Sequence, residues 1–405
     1  MENLVDIYKK ASLVMKPAAM KEGKLYSQQP HSGDGDFTFS RANGTQTRIN
    51  KHGLIETVAD NTPRLSYELD SNGNVSECPH LLLEPTRTNN ILQSNDPSVS
   101  NWTDPLGRWE LLNETTLSPD GSDVRVIELT EDGGSLIRLT GFSISSGTYT
   151  LSFYIKDIDG NLSGGNVDVG DEGSGAPSPS FGDVGIGWVR ATRTITTTAT
   201  RSHVDLQPTF SGTTNKVAIW GVQLEAGSYP TSYIPTTTAA VTRTVDNCGT
   251  SDTNLINNTE GTLFIDFEFS EQGTTSSYQI PIGLYNAGGS GNQNVRIDNY
   301  SGKLRIYVVS SSGTISLWDS SNSISNVVAN QRYRVAIKYK NGDSASYVNG
   351  ELYKSNSGTI SGFNLVKMVF GYANFANTLM HRGKVYQAMV FNEALSDSEL
   401  TELTS

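Results

Sequence analysis

The sequence predicts an all-β protein: a short N-terminal helix, a lead-in of hairpins, and two β-sandwiches. Three observations carry that prediction. Apolar and polar residues alternate in YTLSFYI, LFIDFEF, KLRIYVV and YRVAIKY, the two-residue period of half-buried strands. Asn43-Gly44, His52-Gly53, Asn72-Gly73, Asn341-Gly342 and Asn349-Gly350 are turn pairs, because asparagine and glycine tolerate positive φ. Charged residues make up 18% and aromatics 9%, and 39 glycines accompany many Ser, Thr and Asn, a mixture that suits a β-rich scaffold of extracellular type better than a helical enzyme or a disordered chain. At 405 residues the chain exceeds one ordinary core and divides into two or three domains.

Residues 1–89 form the lead-in. Leu4, Tyr8, Ala11 and Met15 fall at helical spacing and Pro17 ends the pattern. So short a helix needs a surface to lie on, either another protein, which it would anchor to, or its own domain. DFTFSRA then alternates Phe37 and Phe39 with polar neighbours, and Leu81, Leu82 and Leu83 make a short apolar run before Pro85. Residues 90–240 read as the first sandwich. YTLSFYI places Tyr149, Leu151, Phe153 and Ile155 on one face, and VAIWGVQL, with Trp220, is apolar on both, as a central strand should be. Between them Asp157–Ser180 is so rich in Gly, Ser and Pro that it predicts a long loop. Residues 241–405 form the second sandwich. Leu263, Ile265, Phe267 and Phe269 point inward on one strand, and Tyr333, Val335, Ile337 and Tyr339 on another. Ser396 and Glu399 have the spacing of a capping box for a last short helix that carries Leu400 and Leu403.

FTFSRA, TRIN, GLIETVADNTPRLSYE and CPHLLLEPTRTNN, followed by WGVQLEAGSYPTSYIPTTTAAVTRTVD, resemble strings of tailed-bacteriophage virion proteins and related prophage proteins. NWTD, SPDGSD, GTYTLSFYI and GWVRATRTI resemble the jelly roll of carbohydrate-binding modules. The strands from LFIDFEF to the closing VYQAMVFNEALSDSELTEL look like a concanavalin A-like or laminin-G-like lectin sandwich. The resemblance implies a virion surface protein, a head or tail fibre, spike or decoration. Its implied partners are other virion proteins through the N-terminus, further copies of itself, and a host-surface glycan. The implied work is receptor binding, as non-catalytic adhesion to host or environmental glycans. A purely structural decoration protein and a polysaccharide-degrading enzyme are the alternatives.

The net charge of −12 offers no basic stripe for nucleic acid. MENLVDIYKK lacks an apolar secretory core and no apolar stretch is long enough to span a bilayer, so the reading is synthesis in a host cytoplasm without a signal peptide and no membrane insertion. Cys78 and Cys248 are either one bridge or two free thiols. No metalloprotease, nucleophile-elbow or phosphate-loop motif occurs, and the five histidines lack ligand partners at helical spacing, so no catalytic residue and no cofactor is expected. Asp266 and Glu268 look like a catalytic pair but occupy the polar face of one strand. Calcium is the ion some lectin-like sandwiches use; Ser32–Asp36 and Ser71–Asn74 offer oxygens, with ordinary turns as the alternative. Sugars are held by aromatic rings and by Asn, Asp and Arg side chains. Candidates are Trp102, Trp109 and Trp188 in the first sandwich, and Tyr285, Asn294, Arg296, Trp318, Asp319, Tyr372 and Asn374 in the second; for each tryptophan, core packing is the competing role.

Overall fold

The computed structural model describes residues 4–42, 45–70, 72–131, 136–251, 253–273, 279–287, 293–371 and 380–405. The protein is nearly all β. It divides into two compact units, one of residues 1–42, 59–85 and 245–405 and one of residues 43–58 and 86–244.

The first unit is a sandwich of two large sheets. An eight-stranded sheet runs in the order Glu351–Asn356, Ser344–Val348, Arg332–Lys340, Glu260–Phe269, Gly383–Phe391, His80–Leu83 and Arg64–Ser66, with Ala11–Met15 also paired to Gly383–Phe391. A nine-stranded sheet runs Met20–Lys21, Lys24–Leu25, Phe37–Ser40, Asn247–Thr250, Leu365–Val369, Gln279–Asn286, Asn294–Tyr300, Lys303–Ser310 and Gly313–Ser316. Leu263, Ile265, Phe267 and Phe269 meet Tyr333, Val335, Ile337 and Tyr339 in the shared core, as the alternation predicted. Gly342 and the Asn349-Gly350 pair adopt positive φ and close the two predicted hairpins. The capping box at Ser396 and Glu399 is formed, and Leu400 and Leu403 are buried.

Two expectations are corrected here. The lead-in of residues 1–89 is not a unit of its own, because Phe37, Phe39, Leu81 and Leu83 bury themselves as strands of the two large sheets. The amphipathic helix stops at Lys9: Leu4–Lys9 is helical, but Ala11–Met15 is a strand whose Ala11 pairs with Phe391 and whose Met15 pairs with Ala388. ASLVM has apolar residues to bury on both sides. A strand inside a sandwich satisfies both, whereas a helix of this length has no independent stability. Ala11 and Met15 are therefore buried, Tyr8 is half-buried and donates to Gln387 Oε1, and Leu4 alone of the four is exposed. The helix lies on its own unit, with Ile7 packed in the cluster that holds Leu400 and Leu403. Cys78 and Cys248 are both free, and burial pushes the Cys248 thiol up.

Unit 1 also contains a buried ionic network. Asp246 accepts from Arg41 Nη1 at 2.8 Å, from the Glu84 backbone N–H at 2.9 Å and from Arg64 Nη2. Arg64 reaches Glu84 at 2.5 Å, and Arg41 also donates to the carbonyls of Ala59 and Thr62. The side chains of Arg41, Arg64 and Asp246 have no exposed surface.

The second unit is a sandwich of two five-stranded antiparallel sheets. One is ordered Trp102–Thr103, Ile137–Leu139, Val204–Phe210, Leu162–Val169, Glu172–Gly175, the other Trp109–Leu117, Asp123–Leu129, Asn215–Ala226, Gly147–Asp157, Val189–Thr197. Leu151, Phe153, Ile155, Val217, Ile219 and Leu224 lie in the core between them. The predicted loop Asp157–Ser180 is instead largely strand. Its glycines permit close approach: a Cβ on Gly165, at φ +133°, would lie 2.2 Å from the Gln207 carbonyl oxygen. Glycine richness thus marks backbone packing here, not disorder.

On the outer side of the second sheet, Trp220 packs between Tyr233 and Tyr154, ring centroids 4.5 and 5.6 Å away, with Ile55 of the hairpin Gln46–Ile49/Ile55–Val58 in the same cluster. Trp220→Ala is expected to cost about 3–5 kcal/mol, as large aromatic truncations in closed sites do, read as a lowered denaturation midpoint of this unit. An unchanged midpoint would show that the hairpin does not seal this face. Arg87–Asn89 pairs with Val241–Arg243, so the chain enters and leaves the sandwich along one two-stranded ribbon.

Candidate functional site

The nine-stranded sheet of unit 1 presents an outer face of alternating cations and tyrosines. In Asn294–Tyr300, Val295 and Ile297 point into the core, which leaves Asn294, Arg296, Asp298 and Tyr300 on the other face. In Lys303–Ser310, Leu304, Ile306 and Val308 point inward and Lys303, Arg305 and Tyr307 outward. The two strands are joined by Ser301-Gly302, both at positive φ (52° and 69°), the backbone of a two-residue hairpin turn. That turn sets the register. Arg296 stands opposite Tyr307, Asp298 opposite Arg305 and Tyr300 opposite Lys303.

The register makes a rigid ladder. Asp298 is 0% exposed and accepts from Arg305 Nε at 2.5 Å and from Arg296 Nε at 3.4 Å. Burial pushes its carboxyl above the usual range, against the pull of Arg305 and Arg296. Arg296 Nη1 also donates to Asn294 Oδ1 at 2.8 Å. The Arg305 guanidinium lies 4.2 Å from the Tyr300 ring centroid and 5.5 Å from that of Tyr307, and the Arg296 guanidinium lies 5.1 Å from Tyr307. Trp318 continues the row, its ring edge-on to Tyr307 at 6.4 Å, and is half-buried against the core. Beside it Asp319 is held down at about 2 by hydrogen bonds from Ser321, then by Lys354 at 3.2 Å. Orienting pairs of this kind fix a guanidinium fork before any ligand arrives.

Of the predicted residues, Arg296 and Asn294 lie on this face, Asn294 fully buried with its Oδ1 taken by Arg296, and Trp318 touches its Tyr307; Asp319 instead pairs with Lys354 of the eight-stranded sheet. Tyr285 does not offer a ring to solvent: it is fully buried, and its hydroxyl donates to the Gly371 carbonyl at 3.0 Å. Tyr372 and Asn374 lie outside the described residues. The three tryptophans of unit 2 form no common platform. Trp102 is core and donates to the Gln93 carbonyl, Trp109 packs on the same core and donates to Leu136, and Trp188 packs with Trp220 and donates to Leu117. Each indole N–H is taken by a backbone carbonyl, which suits a packing role. The sequence reading missed Asp298, Tyr300, Arg305 and Tyr307. Their signal lies in the outward residues of NVRIDNY and KLRIYVV, of which residue type alone singles out Asn294 and Arg296.

Asp168, Asp171, His203 and Asp205 in unit 2 bring their ligand atoms within 4.8 Å of one another, a donor set that can hold a cation. Arg138, however, already grips both oxygens of Asp205, at 2.7 and 2.6 Å, and Gln207 donates to Asp168 at 2.8 Å. In the first predicted calcium segment Asp36 accepts from Lys24 and Ser27 and Asp34 from the Ser32 hydroxyl; at the second, the Asn72 and Asn74 N–H groups donate to the preceding Asp70 in an ordinary turn. Asp266 is gripped by Arg332 at 2.6 and 2.8 Å, and Glu268 by Lys384 at 2.9 Å and by Tyr386. These carboxylates are structural partners of cations.

No protein-family model and no curated protein matches the chain. Among solved structures it is similar to the CBM40 of a Ruminococcus gnavus IT-sialidase bound to α2,3-sialyllactose, at 18% identity and a TM-score of 0.30, covering 37% of this chain and 84% of that one. It is also similar to domain 4 of AbnA, a GH43 arabinanase of Geobacillus stearothermophilus, in complex with arabinotriose (12%, 0.32, 44% and 84%). A third is a SAP-like pentraxin of Limulus polyphemus (14%, 0.29, 36% and 70%).

Proposed function

We propose that this chain is a non-catalytic glycan-binding protein of a bacteriophage virion surface, a fibre, spike or decoration, and that its sugar site is the Arg296–Tyr300–Arg305–Tyr307–Trp318 face. The observation that carries the site is the pair of guanidiniums fixed over one buried carboxylate, with Trp318 alongside. Oriented N–H groups beside an aromatic edge are what a hydroxyl-rich ligand needs. The virion role rests on the resemblance of residues 36–90 and 220–246 to phage strings, and attachment to other virion proteins and self-association belong to the same proposal. The structural alternative has one observation of its own: Leu117 and Ile186 of unit 2 are 64% and 74% exposed, which suits contact with another protein.

A single shallow site is expected to bind with a Kd of about 1 mM, roughly 4 kcal/mol, so adhesion relies on many copies. The protein displayed multivalently on beads should be retained on at least one immobilised glycan, and Trp318→Ala should abolish retention. Because Trp318 also packs on the core, the same substitution should cost about 1–2 kcal/mol of stability. If no glycan surface retains the beads, the structural alternative takes the place of this reading.

A further inference from the structure

We infer that the glycan held on this face carries an anionic group, a carboxylate or a sulfate; the inference rests on the reading above that the face binds a glycan. Its first support is a local reversal of charge. The chain as a whole carries −12, yet the four strands Gln279–Asn286, Asn294–Tyr300, Lys303–Ser310 and Gly313–Ser316 contain one acidic residue, Asp298, against Arg296, Lys303 and Arg305. All four of these residues point to the same outer face. Asp298 is shared by both arginines, and Lys303 donates to the neutral oxygens of Asn326 and Ser325. The face therefore keeps an excess of positive charge that its own residues do not cancel.

The second support is what the arginines leave open. Arg305 commits its Nε to Asp298, and no acceptor among the described residues takes its two Nη groups. Arg296 commits Nε to Asp298 and Nη1 to Asn294, which leaves Nη2. A planar fork with free terminal N–H groups fits two coplanar oxygens, the geometry of a carboxylate or of a sulfate edge. The third support is what the tyrosines do not leave open. Both guanidiniums lie near Tyr307, at 5.1 and 5.5 Å, and Arg305 lies over Tyr300 at 4.2 Å. Those ring faces are already engaged by cations, so stacking of a neutral pyranose there would have to displace them. The accessible chemistry of the row is guanidinium N–H and the edge of Trp318.

The test uses the full chain displayed on beads and four immobilised polysaccharides: polygalacturonate, its carboxyl-reduced form, a sulfated galactan and its desulfated form. Retention on polygalacturonate or on the sulfated galactan is expected to exceed that on its neutral counterpart at least tenfold, and to fall at least tenfold between 50 and 500 mM NaCl. Whichever acidic member is retained identifies the group. Arg305→Gln should remove the preference and Arg305→Lys should keep part of it, with circular dichroism checking that both fold. Lys51→Gln, which removes an exposed cation of unit 2, should change nothing; a loss equal to that of Arg305→Gln would mean unspecific polyanion capture and would overturn the inference. Equal retention on acidic and neutral partners overturns it while leaving the glycan reading intact. Retention on none of the four, or on any wider glycan panel, removes both.

Discussion

Asp246→Ala is expected to destabilise unit 1 by about 3–5 kcal/mol, the cost of leaving buried charge without its partner. Asp246 is the common acceptor of Arg41, Arg64 and the Glu84 backbone N–H. With it gone, two unexposed guanidiniums would lose the carboxylate they share, Arg64 keeping its pair with Glu84 and Arg41 its backbone carbonyls. Burial and these acids act in opposition on Arg64, and the acids prevail, so its pKa stands above the ordinary value and it stays charged in the fold. Asp246→Asn preserves shape and removes only the charge, so it should recover part of the loss. Urea unfolding read by tyrosine and tryptophan fluorescence gives both numbers. A loss below about 1 kcal/mol for the alanine variant would show that water reaches the network.

Acid should weaken the same unit by a comparable amount. His80 and His381 are buried neutral: loss of hydration lowers the first to about 3, with Lys384 adding to it, and burial lowers the second to about 4. Glu68 and Glu84 pull His80 in the opposite direction, and Arg64 assists the lowering. In the unfolded chain each imidazole titrates near 6.5. Below that pH the unfolded state binds protons that the folded state refuses, so stability falls as pH falls, down to the folded values. Each histidine contributes about 1.4 kcal/mol per pH unit, roughly 5 kcal/mol for the two together between pH 6.5 and 4.5. Unfolding free energies at pH 7 and 4.5 check this. A His80→Gln, His381→Gln double variant should lose most of the slope, whatever its baseline stability. A wild-type protein equally stable at both values would mean the rings are hydrated.

Alternation alone revealed the strands and their inward faces, because a half-buried strand writes its geometry directly into every second residue. LFIDFEF and YRVAIKY are the clear cases. Sheet membership was not legible. Ala11–Met15 has helical spacing to its neighbours, and only its pairing with Gly383–Phe391, more than 370 residues later, makes it a strand. The phage-like strings were legible as a signature but not as a mechanism. FTFSRA contributes Arg41, TPRLSYE Arg64, LLLEPTR Glu84 and TRTVD Asp246, which together are the buried network. Those strings therefore mark a scaffold, and the proposed binding face lies elsewhere. For that face, Arg296 and Trp318 could be found by residue type. Arg305 and Tyr307 required the register, which a turn of Ser301 and Gly302 decides.

The two sheets of unit 1 both combine strands from before residue 85 with strands from after residue 245. On a ribosome that order imposes a wait. At about 5–20 residues per second, the first segments are exposed for roughly tens of seconds before Glu260–Phe269 and Gly383–Phe391 emerge to cover them. Phe37, Phe39, Leu81 and Leu83 are then unburied apolar groups on a nascent chain, while the residues of unit 2 have all been made. Chaperone demand during synthesis should thus be set by the opening eighty-five residues, and translation pauses placed after residue 245 should lower the yield of soluble protein more than pauses placed before residue 36.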